Sequence, residues 1–254
     1  MQLDPSGVVP VYYQLKELLR REISSGDYAP GAQIPSEHQL MRRFGVSRAT
    51  VRQALGDLVV DGLLKRRQGK GTFVAEPKLE EDLAGIQTFN RQMADRGLTT
   101  TVKVLSQFWL PATTRERELF GLAPEDRTFR VMRLISVQSE PVFIESWEIP
   151  EVRCPGLLEL DLSVFFNEIL RGRYHLPVDR EVKYLEPAVA DEFEASQLGI
   201  RKGQPVLLIE RISYPPSGDE ALFACKWTVR GDRCRHMVRV GDGVSVRPGT
   251  GEMT

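Results

Sequence analysis

Cysteine, histidine and tryptophan are scarce in this 254-residue chain, three of each. Cys154, Cys225 and Cys234 form an odd set without metal-ligand spacing, which argues against a disulfide framework and fits a reducing compartment. Cys225 and Cys234 read as small buried hydrophobes rather than redox partners. His38, His175 and His236 are scattered, with no H-x-x-x-H or H-x-H spacing, so no metal site is expected. No apolar run reaches the roughly 18 residues of a membrane span. Met1 to Gly7 lacks the apolar core of a signal peptide. A soluble, cytoplasmic protein without a membrane partner is expected. A G-x-S-x-G nucleophile elbow is absent. Gly69-Lys70-Gly71-Thr72 fails as a phosphate loop, because Leu64 stands at the upstream glycine position and Gly71 follows Lys70 where Ser or Thr is needed. Val74 breaks a G-x-G-x-x-G reading of the same stretch. Neither a cofactor nor a catalytic residue is expected.

The chain has room for two domains, and 41% hydrophobic residues supply a core. Lys and Arg total 34 against 35 Asp and Glu, so the overall balance says nothing about nucleic acid. The distribution does. Residues 1–75 hold 11 basic and 7 acidic side chains, a balance of +4, which leaves 23 and 28, or −5, for the remainder. A basic N-terminal piece joined to an acidic remainder fits a nucleic-acid binder with a second module.

Helical spacing of Leu15, Leu18, Leu19 and Ile23 predicts a first helix starting near Pro10 and ending by Gly26. Ser36 opens a second helix with Gln39 as its capping-box partner, and Leu40 and Phe44 face inward. Gly45 stops it and turns the chain. Ser47 caps a third helix with the apolar stripe Val51, Ala54, Leu55 and Leu58, ended by Gly62. Leu63–Arg67 and Thr72–Val74 read as two strands around a glycine turn. Residues 75–82 are polar, contain Pro77 and lack periodicity, so the interdomain linker is set at 76–83.

Strands are predicted at 101–109, 128–137, 142–149, 180–189, 205–214, 221–230 and 234–240. Helices are predicted at 88–96, at 113–120 capped by Thr113, at 163–171 capped by Ser163, and at 191–198 capped by Asp191. Long strands with few helices suggest an α+β domain over 84–240 around a mainly antiparallel sheet. Residues 241–254 hold four glycines and almost nothing apolar, and read as a disordered tail.

The third helix begins Ser47-Arg48-Ala49-Thr50-Val51-Arg52. Arg48 and Arg52, at i and i+4, share a face opposite the apolar stripe, where a helix laid in the major groove needs them. Arginine offers a planar fork to guanine or phosphate. Ser47 and Thr50 can donate to phosphate, as can the helix N-terminus. Lys65, Arg66, Arg67 and Lys70 cluster in the hairpin, and Gly69 and Gly71 keep its tip narrow. Each segment alone reads as readily as a solvated helix face or an ordinary turn; their succession favours double-stranded DNA.

The run Gly31-x-x-Ile34-Pro35-Ser36-Glu37, Phe44-Gly45-Val46-Ser47-Arg48-x-Thr50-Val51-Arg52-x-Ala54-Leu55, Gly62 and Gly69-x-Gly71-Thr72-Phe73-Val74 resembles the winged helix-turn-helix of GntR-family bacterial transcription regulators. The resemblance covers about residues 9–75 and implies DNA contacts at Glu37, Ser47, Arg48, Arg52 and Gly69; Ser36, Thr50, Lys70 and Gly71 complete the DNA-binding set expected from the residues themselves. In the family an arginine is common near the DNA two positions after the first Ser/Ala-Glu; here His38 and Gln39 occupy that stretch.

Thr88-Phe89, Gly97 with Val104-Leu105, Arg133-Leu134, Pro141-Val142, Glu145, Leu160-Asp161-x-Ser163, Tyr174, Pro205-Val206-Leu207 and Arg230-Gly231-Asp232-Arg233 resemble the UTRA effector-binding domain of the HutC branch. That resemblance implies an α/β fold related to chorismate lyase, a homodimer, and a small-molecule effector. It implies effector contacts at Phe89, Asn90, Arg133, Glu145, Ser163, Phe165 and Phe223. The sequence departs from phosphosugar-binding relatives at Ile135, where a second arginine stands, at Phe165, where a tyrosine stands, and at Phe223, where a carboxylate is common. These changes remove hydrogen bonds that a polar ligand requires. They predict an effector less polar than a phosphosugar, such as a small carboxylate with an aromatic or apolar body. Arg133 and Glu145 read equally well as a cross-strand ion pair. The expected function is a ligand-responsive regulator, a repressor released from a pseudo-palindromic operator by its effector. A ligand-independent DNA-binding dimer and a lyase-like enzyme are the alternatives.

Overall fold

The computed structural model describes residues 3–67, 69–83, 89–164 and 166–238. Phe165, the tail at 241–254, and the last two residues of the strand predicted at 234–240 lie outside the described residues.

The N-terminal unit comprises α1 (Val11–Ser24), α2 (Glu37–Phe44), α3 (Arg48–Val60), β1 (Leu64–Arg67) and β2 (Gly71–Val74). Pro10 is the N-cap of α1, and its carbonyl accepts from the Tyr13 and Gln14 N–H groups. Ser36 and Gln39 close the expected capping box. The Ser36 hydroxyl accepts from Gln39 N, and Gln39 Oε1 accepts from Ser36 N at 2.8 Å. Ser47 caps α3 by accepting from Thr50 N at 3.2 Å. Each such cap is worth about 1 kcal/mol, enough to fix where these short helices start. Val51, Ala54, Leu55 and Leu58 pack with Leu15, Leu19, Ile34, Leu40, Leu64 and Val74 into one buried cluster. The wing pairs Leu64 with Val74 and Arg67 with Gly71. Its outer side gains a third segment, because Gly31 N donates to Val74 O and Ile34 N to Thr72 O.

The C-terminal unit is built on a six-stranded antiparallel sheet, ordered β4 (Thr100–Pro111), β5 (Arg127–Val137), β6 (Glu140–Pro150), β9 (Phe223–Arg230), β8 (Pro205–Tyr214) and β7 (Arg180–Val189). It is two three-stranded meanders joined in the middle by β6 and β9. The β5–β6 hairpin turns on Gln138 and Ser139, both at positive φ, as a two-residue turn matched to strand twist requires. Helices α4 (Phe89–Ala94) and α6 (Phe166–Gly172) cover one face and share its main apolar core. Helix α7 (Glu192–Leu198), capped by Asp191, packs on the opposite face with Leu134, Ile144 and Val206. Helix α5 (Thr114–Phe120) carries the capping box of Thr113 and Glu116, and its Phe120 packs with Ile212 and Ala224.

Two expectations need correction. The supposed linker contains a strand, β3 (Leu79–Asp82), paired in parallel with β10 (Cys234–Met237). Leu79 and Glu81 are buried and Glu80 and Asp82 half-buried, so the segment does alternate. The alternation was hidden because the second inward position is a carboxylate. Ser163 is not the cap of α6: its N–H and hydroxyl both donate to Asp161 Oδ1, forming a turn before the helix.

Candidate nucleic-acid interface and ligand cavity

The N-termini of α2 and α3 form one polar edge of the head. Arg48 and Arg52 are exposed, on the side of α3 away from Val51, Ala54, Leu55 and Leu58. Arg48 Nε donates to Glu37 Oε2 at 3.1 Å, which joins the first turns of the two helices. The Ser47 and Thr50 hydroxyls lie 2.9 Å apart. Ser36 is exposed, and Gln39 is consumed in the capping box rather than projecting as a free recognition group. At the wing tip Gly69 and Lys70 are exposed. Gly71, also exposed, has φ +119, and a Cβ there would lie 2.5 Å from Gln33 Nε2, so a larger residue would displace the side chain that donates to Lys70 O.

The second feature is a cavity over the central sheet. Strand alternation and register bring its floor together. Arg133 on β5 faces Glu145 on β6, which faces Trp227 on β9. One pair further along, Trp147 faces Cys225, which faces Arg211 on β8. Phe89 and Asn90 of α4 and Phe166 of α6 close the top over Ile135 and Phe143. The free volume is about 40 Å³. That holds roughly two or three waters, so a metabolite enters only if lining side chains move.

Arg133 is buried, and its donors are largely spent. Nε donates to Glu145 Oε1 at 2.6 Å, and Nη1 donates to the carbonyls of Leu162 at 2.9 Å and Val164 at 2.6 Å. Its guanidinium sits 4.2 Å from the Phe166 ring centre. Arg211 lies over Trp227 and donates to Glu181 at 2.7 Å. Burial works against the Arg211 charge, but Glu181 outweighs it and the pKa is raised. For Glu181, burial again opposes the charge and Arg211 with Lys183 prevails, so its pKa is lowered. Burial holds the Cys225 thiol neutral, with its pKa well above the ordinary value.

The model of the gntR family, bacterial regulatory proteins, matches residues 11–74, and that of the UTRA domain matches residues 95–235. The HTH-type transcriptional repressor NagR of Bacillus subtilis is 35% identical over 92% of this chain and 96% of its own length. This chain belongs to the GntR family. The Histidine utilization repressor of Pseudomonas putida is 28% identical over 90% of this chain and 91% of its own. The crystal structure of PhnF from Mycobacterium smegmatis matches with a TM-score of 0.65 at 27% identity, covering 90% of this chain and 99% of that one.

As a GntR regulator of the HutC and NagR type, the chain is a DNA-binding transcription regulator rather than an enzyme. The winged helix-turn-helix and the UTRA domain with its mainly antiparallel sheet are both present. No described helix is long and apolar enough to cross a membrane.

Of the residues singled out for the effector, Phe89, Asn90, Arg133 and Glu145 line the cavity, as does Ile135. Ser163 does not: it is exposed and tied to Asp161. Phe223 does not either, because it is buried against Trp147 with ring centres 5.7 Å apart. Sequence reasoning missed Phe143, Trp147, Phe166, Arg211 and Trp227. The alternation of β6, with Phe143, Glu145 and Trp147 at every second position, held the signal for the first two.

Proposed function

We propose that this GntR regulator is a repressor that binds a pseudo-palindromic operator as a homodimer and is released by a small effector held over the central sheet. Each α3 would enter the major groove of one half-site while the wing tip approaches the backbone or minor groove. The observation that carries the effector reading is the bond between the cavity's roof and the strand next to the head. Gln92 of α4 accepts from Asp82 N of β3 at 2.9 Å and donates to Asp82 O at 3.3 Å. Any ligand that displaces Phe89 and Asn90 pulls on α4, and through it on β3. A coupling of about 1–3 kcal/mol suffices for a roughly 5–150-fold change in operator affinity.

The names of related proteins support the repressor reading. They include NagR, the Mannosyl-D-glycerate transport/metabolism system repressor MngR of Escherichia coli, and the Histidine utilization repressor. Edge strand β7 exposes Tyr184 on the face that carries α7 and its exposed Phe193, and Leu185 and Val189 on the other, which offers an apolar edge to a second copy. The aromatic lining favours an effector less polar than a phosphosugar, in the class of small carboxylates with an apolar body. The small cavity volume favours one alternative, a dimer that represses without a ligand.

Operator fragments from the DNA beside the gene, titrated by fluorescence anisotropy with and without metabolite pools, test the reading. A dimer by light scattering and a metabolite-dependent rise in the apparent Kd are expected. Tight operator binding unmoved by every pool would favour the ligand-independent dimer.

A further inference from the structure

Buried hydrogen-bond donors are normally satisfied, and an orphan inside a folded protein calls for a partner. Among the described residues, three such donors belong to side chains lining this one cavity: Trp147 Nε1, Trp227 Nε1 and Arg211 Nε. No orphaned acceptor oxygen belongs to the lining residues. Trp227 Nε1 meets the Cys225 thiol, but burial keeps that thiol neutral, and such a weak acceptor leaves the donor poorly satisfied. The lining therefore has a surplus of donors.

Arg133 cannot be the main anchor for an incoming anion without losing Glu145 or the carbonyls of Leu162 and Val164. Arg211 differs. Its Nη2 is committed to Glu181, while Nε is buried without a partner. The two indoles flank the same floor through the registers Glu145 to Trp227 and Trp147 to Cys225. Each also belongs to an aromatic stack. Trp227 lies on Phe143 with ring centres 4.9 Å apart, and Trp147 on Phe166 at 4.8 Å. Phe89 meets Phe143 edge-on at 4.9 Å.

We propose that Trp147, Trp227 and Arg211 are the specificity residues of this cavity, and that they receive the carboxylate of a flat aromatic acid whose ring is held among Phe89, Phe143 and Phe166. The assignment rests on the effector reading above and replaces Arg133 as the anchor. Arg133 with Glu145 is then the fixed floor on which the site is built. Indole N–H groups would bind an anion's oxygens without adding charge, so two indoles beside one paired guanidinium suit a single carboxylate. The ring stacks supply the apolar contact that a phosphosugar would not use.

The full-length protein is screened by thermal shift and tryptophan fluorescence with benzoate, phenylacetate and indole-3-acetate. The matched amides and glucose 6-phosphate serve as controls. At least one acid is expected to raise Tm and change the fluorescence saturably, at least tenfold more tightly than its amide. Trp147→Phe and Trp227→Phe keep a ring and remove the donor; each is expected to weaken that acid by about tenfold or more. Arg211→Met, which leaves Glu181 paired with Lys183 at 3.2 Å, is expected to abolish binding. Acids that bind no better than their amides, or unchanged affinity in both phenylalanine variants, would overturn the proposal. Stabilisation by glucose 6-phosphate alone would overturn it while leaving the effector reading intact. Silence from every probe would also overturn it, with the effector reading then judged by the operator titration. If a phenylalanine variant fails to melt cooperatively, the comparison of acid with amide on the wild-type protein decides.

Discussion

Arg48 Nε donates to Glu37 Oε2 at 3.1 Å, so the carboxylate on α2 holds the arginine at the start of α3 in place. The Arg48 side chain is 71% exposed, and such a pair contributes little to stability. We propose that the pair instead orients Arg48 toward operator DNA. Glu37→Ala is expected to leave Tm unchanged and weaken operator binding several-fold, with Glu37→Gln intermediate. Operator affinity as tight as wild type in both variants would remove Glu37 from the interface.

Arg52 lies one turn further along the same exposed face. Arg52→Ala is expected to cost about 1–3 kcal/mol on the operator and far less on random DNA if it reads a base. Equal losses on both would make it a phosphate contact. Lys70→Ala at the wing tip is expected to lower the salt slope of binding by about one. An unchanged slope would place Lys70 off the DNA.

The buried pair of Arg133 and Glu145 predicts a difference between single and double substitutions. Glu145→Ala leaves the Arg133 charge buried with only carbonyls for company, and is expected to destabilise by about 3–5 kcal/mol in denaturant melts. Arg133→Met with Glu145→Leu is expected to lie much closer to wild type, since apolar replacements of a buried pair are often neutral. A double variant as unstable as the single would show that the carbonyls of Leu162 and Val164, rather than the charge, set the cost.

The three cysteines are free and buried. Burial pushes the Cys154 thiol up to about 12, and the Cys225 and Cys234 thiols are also raised, chiefly by burial. At pH 8 almost no thiolate is present. Ellman's reagent is expected to react slowly with native protein and with all three thiols in guanidinium. Rapid stoichiometric reaction of the native protein would contradict this burial.

The head was readable from local signals because its determinants are local. Ser36 with Gln39, Ser47 before Arg48, and the stripe from Val51 to Leu58 each act within a few residues. Thr113 and Asp191 announced their helices for the same reason. The cavity was only half readable. Arg133 and Glu145 face each other across a tight hairpin and could be paired by counting. Arg211 and Trp227 reach the floor through the pairing of β6, β8 and β9, which no local pattern specifies. Strand β3 escaped notice because Glu81, a carboxylate, is buried opposite His236, far along the chain, with Nδ1 and Oε2 3.2 Å apart.

That parallel pairing of β3 with β10 bears on how heads can be exchanged between relatives. Residues after the wing look like a spacer, yet Leu79 N donates to Arg233 O and Leu83 N to Met237 O, so they pair with β10 in a small two-stranded sheet of the C-terminal unit, the sensor. Lys78 reinforces the seam by donating to Gly231 O at 2.6 Å, and Gly62 leaves space for Asp232 O, which a Cβ there would meet at 2.6 Å. A transplant joined before Lys78 keeps the strand pairing and the Lys78 bond with the sensor, provided the incoming head has glycine at the position of Gly62. A transplant joined at Asp82 gives the sensor a foreign strand. Such a hybrid would still recognise its operator, but would no longer respond to the ligand.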